Sequence, residues 1–129
     1  MNGKNYLLDT NAIIALLKGN QKILGTIQLS NWIGISIISQ LEFLSYPRLS
    51  KSDIDLFHEF ADRIHVVNLK RSQPELLKGI LQIRKENMLK LPDAIIAATA
   101  IKNEAVLITA DNDFKRVKGL ELISFHPNE

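Results

Sequence analysis

Short apolar segments alternate with amphipathic helical segments along the chain, and this alternation limits the available folds more than any other feature. Segments rich in β-branched and other apolar residues predict five strands, over residues 6–8, 32–38, 65–69, 105–109 and 120–125. Strands separated by helices favour a parallel sheet with crossover helices on both faces. We therefore expect an α/β fold, a three-layer α/β/α domain built on a five-stranded parallel sheet.

Helix start and stop signals lie between the predicted strands. Gly19 ends a first helix, and Pro47 closes a helix over residues 39–46. Ser50 or Ser52 is suited to cap the next helix, whose apolar residues recur at intervals of three and four. The other predicted helical segments are residues 21–30, a long helix from about Pro74, a helix behind Asp93 and a short turn around Phe114.

The composition excludes several classes of protein. With 129 residues and 46% apolar content, the chain has a usual size for one compact domain, which we assign to residues 1–129. The absence of cysteine rules out disulfides, thiolate zinc sites and a cysteine nucleophile. No targeting segment is evident, no apolar run reaches the roughly 20 residues of a membrane span, and a formal charge of +2 confines any basic surface to a local patch. We expect a soluble protein of the reducing cytoplasm.

Four acidic residues stand at positions that a parallel sheet brings to one edge. Asp9 follows the first predicted strand, Glu42 lies just past the second, and Asp111 follows the fourth. Asp93 stands at the predicted start of its helix. It precedes the run AIIAATAI, in which Thr99 is the one polar residue. Because ligands of open α/β sheets gather at the carboxyl ends of the strands, we expect the four carboxylates to converge there.

Each acid also has a purely structural interpretation, because helix N-termini favour acids and capping side chains. Ser39 and Glu42 fit the SxxE capping box, in which the two side chains cap backbone amides reciprocally. Asp93 follows Pro92, a favoured residue at the start of a helix. The remaining candidate caps are Asp111 for the turn DNDFKRV, and Asp9 or Thr10 for the first helix.

The conjunction of the four acids favours a metal site over four separate caps. Like charges within a few ångströms destabilise one another, and no Lys or Arg stands immediately beside any of these acids. A hard cation removes that repulsion, and Mg²⁺ and Mn²⁺ prefer carboxylate and water oxygens. We therefore expect a site for Mg²⁺, with Mn²⁺ as the alternative.

Four segments in this order and spacing resemble PIN-domain ribonucleases of the VapC toxin type, and the resemblance covers nearly the whole chain. The segments are YLLDTNAIIALL with Asp9, ISQLEFL with Glu42, LPDAIIAATA with Asp93, and LITADNDF with Thr109 and Asp111. The resemblance implies endonucleolytic cleavage of RNA at a Mg²⁺ or Mn²⁺ site, with 5′-phosphate and 3′-hydroxyl ends as products. It also implies inhibition by a cognate VapB-type antitoxin, and a homodimer is the expected assembly.

The candidate residues divide into ligands and supporting groups. Asp9 and Asp93 are the first choices as metal ligands, and Glu42 and Asp111 complete the pocket directly or through water. Asp113 competes with Asp111 for the fourth position, and we favour Asp111 because it is nearer the end of the strand. Residues expected to support the ligands or contact the phosphate are Thr10, Asn11, Thr109 and Asp113.

Other functions fit the sequence less well. A metal-independent nuclease needs histidines for acid and base work, but His58, His65 and His126 fall in no motif. A dinucleotide-binding domain needs GxGxxG after the first strand, where this chain has DTNAII. The remaining rival is a non-catalytic PIN-like module that binds RNA or protein. The aromatic and apolar residues within 43–60 are a candidate surface for an antitoxin or a second subunit, although core packing accounts for most of them.

Overall fold

The computed structural model describes residues 3–127, which form a five-stranded parallel sheet with six α-helices and one 3₁₀ helix. The strands are β1 Asn5–Leu8, β2 Trp32–Ser36, β3 His65–Val67, β4 Ala105–Thr109 and β5 Leu122–Ser124. They run in the order β3-β2-β1-β4-β5 across the sheet, so β1 is central. The α-helices are α1 Thr10–Leu17, α2 Gln21–Ile27, α3 Ile37–Leu44, α4 Lys51–Ala61, α5 Pro74–Asn87 and α6 Leu91–Lys102, and the 3₁₀ helix is Asn112–Arg116.

Helices cover both faces of the sheet, because successive residues of the central strands point to opposite sides. Leu7 of β1 belongs to the apolar core formed with α5 and α6, whereas its neighbour Leu8 belongs to the core formed with α1 to α4. The same alternation holds in β4, where Leu107 and Ile108 belong to opposite cores. These two cores confirm the predicted α/β class and the five-stranded parallel sheet.

The caps of the helices explain where the chain leaves the sheet. Asp9 is the N-cap of α1, and its carboxylate accepts a hydrogen bond from the Thr10 amide. Gly19 follows α1 with a φ of 92°, a left-handed conformation that glycine adopts without strain. Ser50 caps α4 in a reciprocal box with Asp53, which resolves the choice between Ser50 and Ser52.

The start of α3 corrects one prediction. The apolar run in WIGISII suggested a strand to residue 38, but β2 ends at Ser36, whose hydroxyl accepts a hydrogen bond from the Ile38 amide. Because α3 therefore begins at Ile37, Ser39 and Glu42 lie within the helix, and the predicted capping box between them is wrong. Ser39 is fully buried, and its hydroxyl has no hydrogen-bond partner among the described residues.

Three other elements are shorter than predicted. The third and fifth strands span three residues each, and α2 ends at Ile27, before the predicted residue 30. The short strands lie at the two edges of the sheet, where each has one hydrogen-bonded neighbour within the described fold. None of the helices in residues 3–127 has the length and apolar character needed to cross a membrane.

Candidate metal centre

The four predicted acids lie at or near the carboxyl edge of the sheet, because parallel topology aims the ends of β1, β2 and β4 in one direction. Asp9 directly follows β1, and Asp111 lies two residues after β4. Glu42 is carried by α3, the helix that follows β2, and Asp93 lies in the first turn of α6. The positions of Asp9, Asp93 and Asp111 are set by the point at which the chain leaves a strand or enters a helix, whereas Glu42 lies near the end of α3.

Asp9 is the most constrained acid of the site, with only 6% of its surface exposed. Its Oδ1 accepts a 2.8 Å hydrogen bond from the Thr10 amide. Its Oδ2 accepts a 2.7 Å bond from the Thr109 hydroxyl and a longer 3.4 Å bond from the Asn11 side-chain amide. Both oxygens are therefore oriented by groups from two different elements.

Burial raises the pKa of Asp9 from the ordinary 3.8 to about 6. The hydrogen bonds from Thr109 and from the Thr10 amide oppose this rise, whereas the negative charges of Asp93 and Glu42 add to it. The raised pKa of Asp9 therefore reflects both the burial of its carboxylate and the proximity of two further acids.

Asp93 is half-buried, and its pKa is also raised, chiefly by burial. The charges of Asp111, Glu42 and Asp113 raise it further, in that order of importance. Lys90, the N-cap residue of α6, acts in the opposite direction. Lys90 precedes Asp93 by three positions, so it is not among the immediate sequence neighbours on which the predicted charge balance rested.

Glu42 projects from α3 toward α1, where its Oε1 accepts a 2.7 Å hydrogen bond from the Thr10 hydroxyl. The bond joins residues that are 32 positions apart in the chain. Thr10 therefore holds two of the acids: its backbone amide binds Asp9 and its side chain binds Glu42. Thr10, which is predicted to support the ligands or contact the phosphate, thus contacts the side chains of two acids.

The segment after β4 offers two acids in different environments. Asp111 is partly buried and caps the 3₁₀ helix, with its Oδ1 accepting a 2.8 Å bond from the Asp113 amide. Its own amide donates a 3.0 Å bond to the Thr109 hydroxyl. Asp113 is exposed and forms an ion pair with Arg116 at 3.7 Å. Asp111 is therefore connected to Asp9 through the Thr109 hydroxyl, whereas the side chain of Asp113 pairs with Arg116.

Asn11 joins the first helix to the segment after β4. Its side-chain oxygen accepts a 3.1 Å hydrogen bond from the Ala110 amide, while its side-chain nitrogen donates to Asp9. Together with Thr109, it fixes the relative position of the ends of β1 and β4. The capping interpretation and the site interpretation are therefore compatible for Asp9 and Asp111, since both acids cap a helix and also lie in the cluster.

The donor set suits a hard, hydrated cation. Within residues 3–127, no three His, Asp or Glu side chains are arranged as a ready ligand set for a metal ion. The acids are instead coupled electrostatically, and every donor in the cluster is a carboxylate, hydroxyl or amide oxygen. Mg²⁺ keeps several of its waters and is commonly bound through one or two carboxylates, so this donor chemistry fits Mg²⁺ and Mn²⁺.

Two of the three histidines contact aromatic rings. His65, at the start of β3, stacks on Trp32, at the start of β2, with ring centroids 5.3 Å apart. The amino ends of these strands are at the edge of the sheet opposite the acids. His65 is therefore remote from the acidic edge. His58 makes an edge contact with Phe57 in α4.

Comparisons with known proteins agree with this architecture. The family model described as PIN domain matches residues 6–120. A toxin-antitoxin complex from Klebsiella pneumoniae contains a chain that is 26% identical, with a TM-score of 0.75 over 92% of this chain and 96% of that one. VapBC-1 from nontypeable Haemophilus influenzae is 25% identical, with a TM-score of 0.71 and coverage of 93% and 97%.

A third similar structure is VapBC2 from Rickettsia felis, determined with a DNA fragment from its promoter. It is 22% identical, with a TM-score of 0.80 over 95% of this chain and 99% of that one, and it therefore supports the fold alone. No curated protein matches the sequence.

Proposed function

The chain belongs to the PIN domain family, and from this premise we propose that it is a Mg²⁺- or Mn²⁺-dependent endoribonuclease acting as the toxin of a toxin-antitoxin pair. The observation that carries the proposal is the state of Asp9: a buried carboxylate, oriented by Thr109 and Thr10, whose pKa is raised to about 6 beside Asp93 and Glu42. Clustered acids of this kind are costly to a fold and are typical of functional sites.

The residues of the site have distinct roles in this proposal. A bound divalent cation would lower the pKa of an attacking water and would neutralise charge on the phosphodiester. Asp9 and Asp93 would hold the cation, and Glu42 and Asp111 would complete the site directly or through water. Thr109, Thr10 and Asn11 orient the carboxylates of Asp9 and Glu42. Hydrolysis to 5′-phosphate and 3′-hydroxyl ends is the outcome that the family resemblance implies.

A cognate VapB-type antitoxin is the protein partner in this proposal, supported by the toxin-antitoxin complexes among the similar structures. The antitoxin would contact an apolar groove of about 510 Å³ between α1, α3 and α4. Its lining includes the exposed side chains of Tyr46 and Leu56. In contrast, Phe43 and Phe57 are buried and stacked at 4.6 Å, so they serve the core. A homodimer is also part of the proposal.

The catalytic part of the proposal is tested with purified protein and RNA in the presence of Mg²⁺ or Mn²⁺. We expect cleavage that stops in excess chelator and is lost in Asp93→Asn. The matched control is Asp62→Asn, which changes an acid at the exposed end of α4 and should cut at the wild-type rate. Undiminished cleavage in chelator would contradict the metal mechanism. RNA binding without any cleavage would instead indicate a non-catalytic PIN module.

The toxin part of the proposal is tested in cells. Expression of the chain alone should arrest growth, and co-expression with its small partner should restore it. Asp93→Asn should relieve the arrest at an equal protein level, while Asp62→Asn should not. If growth stops equally with Asp93→Asn, the nuclease explanation of toxicity is wrong.

A further inference from the structure

A groove with basic side chains lies beside the acid site, between the last turn of α5 and the segment that follows β4. Its volume is about 360 Å³. One wall is formed by residues of α5 and the other by the 3₁₀ helix and the two residues that follow it. The lining residues are Ile83, Glu86, Asn87, Arg116, Val117 and Lys118.

The groove is continuous with the acids through Asp113 and Arg116. The Arg116 guanidinium forms an ion pair with the Asp113 carboxylate at 3.7 Å and donates a 3.3 Å hydrogen bond to the Asp113 carbonyl. Asp113 in turn is close enough to Asp93 for its charge to act on that carboxylate. Arg116 thus connects the groove to the acid site through Asp113.

Two exposed lysines lie near this path, one close to Asp93 and one in the groove. Lys90 is at the start of α6, where its charge acts on Asp93, and Lys118 lies in the groove beyond Arg116. Neither lysine forms an ion pair within residues 3–127. We call Lys90, Arg116 and Lys118 the basic track. Glu86 is the acid in the groove lining, and its carboxylate accepts a hydrogen bond from Gln82.

The position of these cations beside the acids bears on how a negatively charged RNA could approach the site. A cluster of carboxylates repels a polyanion, and a formal charge of +2 on the whole chain is too small to offset that repulsion. Binding of a nucleic acid then depends on local cations that neutralise phosphates beside the acid site. Scattered in the sequence, Lys90, Arg116 and Lys118 are brought to this region by the turn between α5 and α6 and by the 3₁₀ helix.

We propose that the basic track binds the phosphodiester backbone of the RNA substrate beside the acid site. The inference rests on the proposed function and extends it to the path of the RNA. Contacts of this type position the strand and carry no base information, so the track contributes affinity to every sequence alike.

The test measures binding of a fluorescent 12-nucleotide oligouridine RNA to the full chain in chelator, across a range of salt concentrations. Lys118→Gln and Lys90→Gln each remove one charge without breaking an ion pair. Each variant should weaken binding about threefold to tenfold at ~100 mM salt, and should reduce the slope of log affinity against log salt by roughly 0.7. The matched control is Lys4→Gln, an exposed lysine next to the amino end of β1, at the opposite edge of the sheet.

The outcomes separate this inference from the proposed function. If Lys118→Gln and Lys90→Gln keep the wild-type affinity and salt slope, the basic track is not the RNA path, even when the wild-type protein cleaves RNA. The same conclusion follows if Lys4→Gln weakens binding as much as they do. If the two track variants lose affinity but the wild-type protein cleaves no RNA with Mg²⁺ or Mn²⁺, the track is supported and the nuclease proposal fails.

Discussion

The hydroxyl of Thr109 donates a 2.7 Å hydrogen bond to the Oδ2 of Asp9, across 100 positions of sequence. The two residues come together because β1 and β4 are paired in parallel, with Leu8 opposite Ile108, so that both strands end at the same level. The bond is one of the forces that keep a buried carboxylate oriented, and it lowers a pKa that burial raises. Removing its donor is therefore a direct test of how the site is built.

Thr109→Val should raise the pKa of Asp9 above about 6, because the variant keeps the shape of the side chain and removes its donor. A hydrogen bond to a charged group contributes about 1.5 to 3 kcal/mol, so the rise should be about one pH unit or more. Carboxyl carbon NMR of the metal-free protein measures this pKa. Thr109→Ser, which keeps the hydroxyl, is the control. An unchanged pKa in Thr109→Val would show that the bond does not stabilise the carboxylate.

The metal-free protein should lose stability as the pH rises from about 4 to above 6. Because the folded pKa of Asp9 is about 6 and the ordinary value is 3.8, the folded state binds this proton more tightly than the unfolded state. The contribution to stability is complete below about 4 and is lost as the pH passes 6, at a cost of roughly 3 kcal/mol. The raised pKa of Asp93 has the same sign.

Chemical denaturation in chelator between pH 4 and pH 7.5 measures this dependence. Asp9→Asn should flatten it, whereas the exposed Asp62→Asn should leave it as in the wild type. Added Mn²⁺ should restore stability at pH 7 by binding the folded state. A wild-type protein whose stability rises steadily with pH in chelator would show that Asp9 is not a destabilised carboxylate.

The sequence predicted the parallel sheet and the edge at which the acids collect, because both follow from the alternation of strands and helices. It did not predict where β2 ends, since Ile37 and Ile38 are β-branched and suit a strand as well as a helix. The turn is decided by Ser36, whose hydroxyl satisfies the Ile38 amide. Contacts between distant elements, such as that of Thr10 with Glu42, leave no pattern in the spacing of residues.

Alanine substitution of two serines at the start of α3 should affect the free energy of unfolding differently. Ser36→Ala removes the cap of α3 and should lower the free energy of unfolding by about 1 kcal/mol. Ser39→Ala removes a buried hydroxyl that has no partner in the described structure, and it should leave stability unchanged or raise it by up to about 1 kcal/mol. Denaturant melts of both variants test this. Equal losses would indicate that Ser39 has a hydrogen-bond partner, such as a bound water.

Asp111→Asn and Asp113→Asn should differ in their effects on the metal site. Asparagine caps helices as well as aspartate does, so Asp111→Asn should retain the 3₁₀ helix and near-normal stability. It should weaken Mn²⁺ binding and slow RNA cleavage by about 10 to 100-fold, as expected for a residue that supports or forms a metal site. Asp113→Asn, at an exposed position, should change cleavage less than about threefold. The reverse order would make Asp113 the fourth acid.

Glu42→Gln tests the role of the acid on α3. The carbonyl oxygen of glutamine can still accept the bond from the Thr10 hydroxyl, so thermal stability without metal should stay close to that of the wild type. Loss of the negative charge should weaken Mn²⁺ binding, measured by calorimetry, and should slow cleavage about 10 to 100-fold. It should also lower the pKa of Asp9, because the charge of Glu42 is one of the causes that raise it. The control is Glu59→Gln, an exposed acid in α4. If Glu42→Gln binds Mn²⁺ and cleaves RNA as the wild type does, the carboxylate of Glu42 serves the contact with Thr10 and has no part in the metal site.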